Sequence, residues 1–379
     1  MEKKNVAVAM SGGVDSSVAA ALLHKQHYNV IGLTMHLWDY DGVGGNVLND
    51  ASCCSVESVD DARAVCDKIG IPHYVVDVRD EFRTSIIDNF IAEYMHGRTP
   101  NPCILCNSIM KWTVLYKKAA QLGMDYLATG HYAIVKYNEE KQRYILKRGV
   151  DHTKDQSYAL WALTQDQLKI TKFPLGTLSK TEVREIATEF GLKTRQKQES
   201  QDICFIPDND YNRFLIEQDP KLSKRVQNGE IVDTSGKKIG HHKGYPFYTV
   251  GQRRGLGIAV GKPIYVVDID AENNRIVVGD KTDLQSDGLI AEQANWISHQ
   301  PVKEGIEAEA KIRYNDPGKM ATVFACNENE IKVLFHEHAE AVTPGQSVVF
   351  YQNDFVLGGG IITKNLKNNE PAQHFKTDF

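Results

Sequence analysis

The chain has 379 residues, of which 42% are hydrophobic and 25% are charged, and this composition excludes a disordered or fibrous protein. The formal net charge of −5 does not indicate a nucleic-acid-binding protein, although lysine and arginine cluster in short segments at 141–148, 193–197, 221–225, 237–243 and 251–255. The start of the chain lacks the pattern of a secretory signal, and no apolar run approaches the length of about 20 residues that a membrane span needs. We therefore expect a cytoplasmic protein without membrane contact.

The first two hundred residues alternate short apolar runs with longer amphipathic stretches, a pattern that predicts a parallel sheet covered by helices. Ser179 and Glu182 form the pattern of a capping box, which predicts a helix that begins after Ser179. Gly191 suits the C-terminal cap of this helix. Strands are predicted over 6–10, 29–35, 73–78 and 125–130, and helices over 16–26, 56–69, 81–95, 108–121 and 180–190. The N-terminal part is therefore predicted to be a doubly wound α/β domain.

Beyond about residue 228 the sequence changes to short β-branched and aromatic runs separated by glycine, asparagine and aspartate. Turn signals between alternating runs are typical of antiparallel hairpins. We predict a small mainly-β central domain followed by a C-terminal β-barrel. The predicted domain boundaries are 1–210 for the α/β domain, 211–284 for the central domain and 285–379 for the barrel.

The segment MSGGVDSS, at positions 10–17, lies between the first predicted strand and the first predicted helix. Its glycines let a ligand approach the backbone, and the helix start offers free amides, so the segment predicts a phosphate site. It lacks the lysine of a Walker loop and the spacing of a dinucleotide fold. Its S-G-G-x-D-S pattern resembles the pyrophosphatase loop, or PP-loop, of enzymes that split ATP into AMP and pyrophosphate. Asp15 would repel bare phosphates, which implies a Mg²⁺ ion between them.

Cys103 and Cys106 form a Cys-x-x-Cys pair within PNPCILCN. Such a pair can be half of a zinc site, a redox couple, or a nucleophile with a neighbour. A structural zinc site needs four ligands, and the nearest further candidates are the adjacent Cys53 and Cys54 and a lone Cys204, so a zinc ribbon is disfavoured. We interpret Cys53–Cys54 as a structural pair.

Seven segments of this chain together resemble the bacterial tRNA-specific 2-thiouridylase (MnmA) family. They are SGGVDSS, GRTPNPCILCN, ATGHY, KDQSYAL, SQDICFI, TVGQRRGLGI and TPGQSVVFY, and they occur in order over nearly the whole chain. The resemblance implies a tRNA-modifying sulfurtransferase that acts on the wobble uridine of tRNA(Lys), tRNA(Glu) and tRNA(Gln). By this resemblance, ATP would adenylate O2 of the uracil and release pyrophosphate, and sulfur would then displace AMP at C2 to give 2-thiouridine. The resemblance further implies that residues 1–210 form the ATP-binding catalytic domain and that the barrel over 285–379 binds tRNA.

The resemblance also implies roles for individual residues. Cys204 would carry a persulfide received from a sulfur donor protein, Cys106 would release the sulfur, and a Cys106–Cys204 disulfide can follow. The ATP pocket would consist of Ala9, Met10, Ser11, Gly12, Gly13, Val14, Asp15, Ser16, Met35 and Gly130. Asn101, Pro102 and Cys103 would contact the target base, and His131, Lys154, Asp155, Gln156, Arg313, Tyr314 and Gln346 would contact tRNA. No residue is assigned as a ligand of a resident metal.

Cys103 stands where many members of the family carry aspartate as a candidate proton-transfer group. A thiol replaces a carboxylate imperfectly, because its unperturbed pKa is about 8.5 and that of aspartate is about 4. The substitution opens an alternative, in which Cys103, Cys106 and Cys204 hold an iron–sulfur cluster.

Two other functions compete with this interpretation. An amidotransferase-type synthetase would use the same ATP loop, but the chain contains no convincing glutaminase domain and would leave the thiols without a role. An RNA-binding adaptor with a degenerate nucleotide fold would not need the intact S-G-G-V-D-S segment or the two matched cysteines.

Overall fold

The computed structural model describes residues 3–38, 56–197, 203–258 and 260–367. Cys53 and Cys54, which the sequence interpretation treats as a structural pair, lie outside the described residues, as does the first part of the SQDICFI segment. Among the described residues, no helix combines the length and apolarity that crossing a membrane requires.

The N-terminal part is built on a five-stranded parallel sheet of order β3-β2-β1-β4-β7. Its strands are β1 (Asn5–Ala9), β2 (Asn29–His36), β3 (His73–Asp77), β4 (Tyr126–Ala128) and β7 (Thr171–Lys172). The strand order reverses beside β1, and α/β sheets bind ligands outside the carboxyl ends of the strands at such a reversal. The predicted doubly wound α/β fold is therefore confirmed.

Helices cover both faces of this sheet. Val6 and Val8 of β1 point into one core, and Ala7 points into the core on the opposite face, as alternation along a buried strand requires. The helical segments are α1 (Val14–Lys25), α2 (Val56–Ile69), α3 (Arg79–Phe82, π-helical Arg83–Ile87 and Asp88–Met95), α4 (Pro102–Leu105, π-helical Cys106–Leu115 and Tyr116–Gln121), α5 (Gln165–Lys169), α6 (Lys180–Glu189), α7 (Tyr211–Gln218) and α8 (Leu222–Val226). Short 3₁₀ turns span Ser157–Leu160, Lys193–Gln196, Tyr245–Phe247 and Lys281–Leu284.

Helix α4 begins at Pro102, whereas the sequence pattern predicts a helix only from residue 108. The side-chain oxygen of Asn101 accepts a hydrogen bond from the Cys103 amide at 3.2 Å, and Pro102 occupies the first helical position. Both are favourable start signals that outweigh the absence of a regular apolar pattern there. As a consequence Cys103 and Cys106 lie on a helix.

The central part forms a four-stranded sheet of order β10-β11-β8-β9. Its strands are β8 (Gly229–Asp233), β9 (Lys238–His242), β10 (Tyr265–Asp270) and β11 (Arg275–Gly279). Ile231 and Val266 of this sheet share one hydrophobic core with Phe82 and Phe90 of α3, so the central part packs directly on the N-terminal part.

The C-terminal part is a closed barrel of six strands in the order β12-β15-β14-β13-β16-β17, completed by pairing of β12 with β17. The strands are β12 (Gln285–Trp296), β13 (Ile306–Lys311), β14 (Lys319–Ala325), β15 (Glu330–Glu340), β16 (Ser347–Gln352) and β17 (Phe355–Leu366). The predicted barrel is confirmed.

A hairpin of the N-terminal part, β5 (Ala133–Asn138) and β6 (Arg143–Arg148), extends the barrel sheet by pairing with β17. The sequence prediction contains no strand in this region. Arg143 of the hairpin donates hydrogen bonds to the carbonyls of Trp296 and Ile297, both at 2.6 Å, so at least one residue of the basic segment 141–148 serves to attach the barrel.

Candidate active site

A cavity of about 410 Å³ opens at the carboxyl edge of the parallel sheet, where the strand order reverses. Its volume is within the range typical of sites for small molecules and cofactors. The predicted site residues that line it are Ala9, Met10, Ser11, Gly13, Val14, Asp15, Ser16, Met35, Pro102, Cys103, Cys106, Gly130, His131, Gln156 and Cys204. The structure therefore brings the predicted phosphate loop and the three predicted thiols to one cavity.

The loop at residues 10–17 leaves the start of α1 open to a ligand. Gly13 precedes the helix and provides no side-chain cap, while the hydroxyls of Ser16 and Ser17 donate hydrogen bonds to its carbonyl at 3.1 Å and 2.7 Å. The uncapped amides and the helix dipole favour an anion at this position.

Gly12 and Gly130 are required by close packing around the loop. Gly12 has a φ of +70°, and a Cβ atom there would lie 2.2 Å from the Ser58 carbonyl oxygen. A Cβ atom on Gly130 would lie 2.7 Å from backbone atoms of Asp15 and Ser16. Gly12 does not line the cavity itself, and its role is to let the loop pass Ser58.

The Asp15 carboxylate accepts three hydrogen bonds from the surrounding protein. Lys180 donates to its two oxygens at 2.8 Å and 2.9 Å, and the Tyr132 hydroxyl donates at 2.9 Å. Lys180 is the first residue of α6, after the Ser179 cap, and is only 9% exposed. Sequence reasoning missed Lys180, although a lysine at the positive end of a helix is unfavourable and hints at a carboxylate partner.

The three thiols that line the cavity belong to segments other than the phosphate loop. Cys106 is the first residue of the π-helical part of α4, and Cys204 follows the segment 198–202. Both side chains are half-buried and pack against the core shared by the N-terminal and central parts, whereas Cys103 is exposed. Asn101 does not line the cavity and acts as the cap of the helix that carries Cys103 and Cys106.

His131, predicted as a tRNA contact, lies inside the cavity wall and is 9% exposed. Burial, and then the charge of Lys111, lower the pKa of His131 well below its usual value of 6.5. Lys111 approaches Nε2 at 3.5 Å and can only donate, so Nε2 accepts, and Nδ1 carries the hydrogen that it donates to the Thr129 hydroxyl at 2.6 Å. The ring is therefore neutral.

Three other predicted tRNA residues, Asp155, Tyr314 and Gln346, form hydrogen bonds between loops. The Asp155 carboxylate accepts hydrogen bonds from Gly149 and Ser157, and the Tyr314 hydroxyl donates to the Asp155 carbonyl at 3.1 Å. Gln346 of the barrel donates to the Thr99 carbonyl at 2.7 Å, just before α4. Barrel residues therefore contact the loop at Asp155 and the segment that leads into α4.

Arg313 and Tyr314 are exposed on the barrel, and Lys154 is half-buried at the edge of the N-terminal part. Because Tyr314 bonds to the carbonyl of Asp155, these residues belong to one surface that spans the two parts. Arg313, Tyr314, Lys154, Asp155 and Gln346 do not line the cavity.

Two predicted metal groups can be compared with the donor atoms present. Asp15 supplies a carboxylate beside the anion site, which suits Mg²⁺ because this ion is usually held by one or two carboxylates together with substrate phosphates. Within the described part of the chain, no three His, Cys, Asp or Glu side chains are arranged to share a metal ion. Cys103, Cys106 and Cys204 therefore do not form a ready ligand set for a cluster.

Three family models match the chain in order. Residues 4–208 match a tRNA methyl transferase HUP domain, residues 221–280 match a tRNA methyl transferase PRC-barrel domain, and residues 286–362 match an aminomethyltransferase β-barrel domain. A relative from Carboxydothermus hydrogenoformans, named tRNA-specific 2-thiouridylase MnmA, is 50% identical over 96% of this chain and 99% of its own length. The chain belongs to the tRNA-specific 2-thiouridylase family.

A second member of this family, from Cytophaga hutchinsonii, is 47% identical over 97% of this chain and all of its own length. Among solved structures, a 4-thiouridine synthetase in complex with RNA and bound ATP covers 57% of this chain and 51% of its own, at 18% identity and a TM-score of 0.34. A score this low establishes no shared fold. The family resemblance stated from the sequence segments is confirmed by the 2-thiouridylase relatives.

Proposed function

We propose that this protein is a tRNA-uridine 2-sulfurtransferase that converts the wobble uridine of tRNA(Lys), tRNA(Glu) and tRNA(Gln) to 2-thiouridine at the expense of ATP. The observation that carries the proposal is one cavity lined both by the phosphate loop and by Cys106 and Cys204. Adenylation and sulfur transfer act on neighbouring atoms of the same base, so the two sets of groups must meet in one place.

ATP would be bound by the loop and its neighbours, Ala9–Ser16, Met35 and Gly130. The amides at the start of α1 face the phosphates, and Mg²⁺ would be held by Asp15 together with phosphate oxygens. Lys180 and Tyr132 keep the Asp15 carboxylate in place. Uracil O2 attacks the α-phosphorus, pyrophosphate leaves, and O2 becomes the oxygen of a good leaving group.

Cys204 would deliver the sulfur. It would carry that sulfur as a persulfide received from a donor protein. The terminal sulfur attacks C2, the C2–O2 bond breaks, and AMP departs with the oxygen. The Cys106 thiolate then attacks Sγ of Cys204 and breaks the sulfur–sulfur bond, which leaves sulfur on C2 and a Cys106–Cys204 disulfide. The transferred sulfur is reduced, the two cysteines are oxidised, and a dithiol reductant must restore them.

Asn101, Pro102 and Cys103 would border the extruded base, because reaching C2 requires the uridine to leave the anticodon stack. Pro102 and Cys103 line the cavity, and Asn101 fixes the helix start beneath them. Cys103 is exposed, which suits contact with a substrate that arrives from solvent.

An iron–sulfur cluster on Cys103, Cys106 and Cys204 is the second candidate for the sulfur source. Iron and acid-labile sulfide should both be far below stoichiometric in anaerobically purified protein, and chelation should leave activity unchanged. Stoichiometric iron with activity that is lost on chelation would favour the cluster.

The barrel and the loop at Lys154–Gln156 would bind the tRNA backbone, with Arg313, Tyr314 and Gln346 on the barrel side and His131 at the cavity. Phosphate contacts make affinity depend strongly on salt, and we expect tRNA binding to weaken by at least about tenfold between about 50 and 200 mM salt. An affinity that is indifferent to salt would contradict this surface. Because a tRNA-modifying enzyme must meet its tRNA substrates, we place the protein in the cytoplasm.

The decisive experiment is mass spectrometry of the wobble uridine after incubation with tRNA, ATP, Mg²⁺ and a persulfide donor. The mass should rise by the replacement of oxygen with sulfur, and pyrophosphate should appear in equal amount. Cys106→Ala and Cys204→Ala should both abolish thiolation, whereas Cys326→Ala, a half-buried thiol of the barrel, should retain it. Retention of thiolation in either site variant would refute the proposed roles.

Two of the matching domain families are named after tRNA methyl transferase. The same mass spectrometry of the wobble uridine tests for methyl transfer. Adding S-adenosylmethionine in place of the sulfur donor should leave the uridine mass unchanged. A methylated uridine that forms without ATP would replace the proposal with a methyltransferase.

A further inference from the structure

Lys111 lines the same cavity as the phosphate loop, Cys106 and Cys204. Its ammonium group donates to the Asn107 side-chain oxygen at 2.8 Å and approaches His131 Nε2 at 3.5 Å. Asn107 directly follows Cys106, and His131 directly follows Gly130, which packs against the phosphate loop. Lys111 therefore contacts one residue beside the Cys106 thiol and one residue beside the phosphate loop.

No carboxylate in the described part of the chain pairs with Lys111. Among the described residues, its hydrogen-bond partners are neutral and it forms no salt bridge. The other lysines near the cavity differ, because Lys180 is paired with Asp15 at 2.8 Å and Lys197 with Asp61 at 2.7 Å. A half-buried ammonium with neutral partners stabilises an anion that enters the cavity more strongly than a lysine already paired with a carboxylate can.

The local helix geometry directs Lys111 toward this position. The segment Cys106–Leu115 is π-helical, so its backbone bonds join residues five apart, and residue 111 lies one turn after residue 106. The Thr113 hydroxyl, which donates to the Ser108 carbonyl five residues earlier, follows the same wider turn. π-Helical segments are rare and are frequently found at functional sites.

We propose that Lys111 is a further catalytic residue, which binds the α-phosphate of the nucleotide. This inference deepens the proposed function and rests on it. The β- and γ-phosphates would lie at the start of α1, and the α-phosphate is the anionic group that must reach the uridine, so it lies nearest to Lys111.

In this role Lys111 transfers no proton. Its charge stabilises the phosphoryl oxygens while O2 bonds to phosphorus and pyrophosphate leaves, and again while AMP departs from C2. Asn107 and the neutral His131 are positioning residues that orient the ammonium group, and neutrality of His131 avoids a second positive charge beside it.

The test compares three variants of the full-length protein. Lys111→Met removes the charge and keeps the length of the side chain, Lys111→Arg keeps the charge, and Lys117→Met is the control on the exposed side of the same helix. Calorimetry measures binding of AMP and of inorganic pyrophosphate, and rapid quenching measures pyrophosphate release with tRNA at saturating ATP.

Lys111→Met should bind AMP about tenfold more weakly, since loss of one charge-assisted hydrogen bond weakens binding by about tenfold. Its affinity for pyrophosphate should change by less than about twofold. Its pyrophosphate release should slow by about 100-fold, as for removal of one oxyanion donor. Lys111→Arg should recover most of the AMP affinity and most of the rate of pyrophosphate release. Lys117→Met should match the unmodified protein in both quantities.

Unchanged AMP affinity in Lys111→Met would overturn the assignment. So would a variant that releases pyrophosphate normally and differs only in the pH dependence of Cys106 alkylation, because the charge would then serve the thiol. If the unmodified protein binds AMP but forms no thiolated tRNA, the proposed function fails while the comparison of AMP affinities still decides the role of Lys111.

Discussion

The ion pair between Asp15 and Lys180 should be a large local contribution to stability, and Lys180→Met tests this. The two side chains are 28% and 11% exposed, so both charges are largely removed from water. Breaking a fully buried pair from one side costs about 3–5 kcal/mol, because the remaining charge is left without compensation. Asp15 keeps the Tyr132 hydroxyl and some contact with water, which reduces the expected cost to about 2–3 kcal/mol.

Thermal unfolding gives the readout. For a domain of this size, about 1 kcal/mol corresponds to about 2–4 °C, so Lys180→Met should lower the Tm by about 4–12 °C. The matched control is Lys25→Met, which removes an exposed pair with Glu189 whose side chains are 61% and 66% exposed. That pair should contribute at most about 1 kcal/mol.

A double-mutant cycle with Asp15→Asn isolates the interaction. The double variant should lose less stability than the sum of the single variants by about 1–3 kcal/mol, because the orphaned charge is removed with its partner. If Lys180→Met and Lys25→Met have the same Tm, or if the two site substitutions are additive, the Asp15–Lys180 pair is not desolvated and the reasoning is wrong.

Three further predictions concern residues around the same sheet. Because the folded pKa of His131 is lowered, its contribution to stability is complete above about pH 6.5 and is lost as the pH falls below that value. Between about pH 7.5 and 5.5 the Tm should therefore fall less in His131→Gln than in the unmodified protein. Equal falls in Tm would contradict a neutral buried ring. Burial raises the pKa of the Cys66 thiol to about 12, so peptide mapping after alkylation at about pH 8 should find Cys66 labelled only in denatured protein; labelling in the native state would contradict its burial. Gly130→Ala should weaken ATP binding by at least about tenfold with unchanged far-UV circular dichroism. The reason is that a Cβ atom 2.7 Å from the backbone at Asp15 and Ser16 displaces the loop. Normal ATP affinity in this variant would show that the loop tolerates the shift.

Local signals in the sequence were enough to predict the sheet, the β1–α1 connection and the barrel. Apolar runs mark β1 and β2, and the capping box at Ser179 and Glu182 forms as predicted, because these features depend on residues close together in the chain. The start of α4 was predictable in principle, since Asn101 and Pro102 are standard helix-start residues that a search for apolar periodicity overlooks.

Contacts between distant segments could not be predicted from composition or periodicity. The Lys180–Asp15 pair joins residues 165 positions apart, and the Lys111–His131 contact joins residues 20 apart on different elements. The position of His131 inside the wall depends on packing against the Trp112 and Phe173 rings, which only the folded chain brings together. A resemblance can assign a role to such a residue, but it does not reveal whether the side chain is buried and neutral.

The central part has a structural role in the proposed chemistry that its sequence does not suggest. Cys106 and Cys204 are 98 positions apart, and both pack against the core that joins α3 to the central sheet. Large side chains of α3 and of the Cys204 segment form this core through edge contacts, such as that between Phe82 and Phe205 with ring centroids 5.7 Å apart. Since closely packed interiors resist small displacements, we expect the central part to hold both thiols in position. A sulfur transfer that requires one thiolate to attack the other therefore depends on a domain that contributes no residue to the cavity lining.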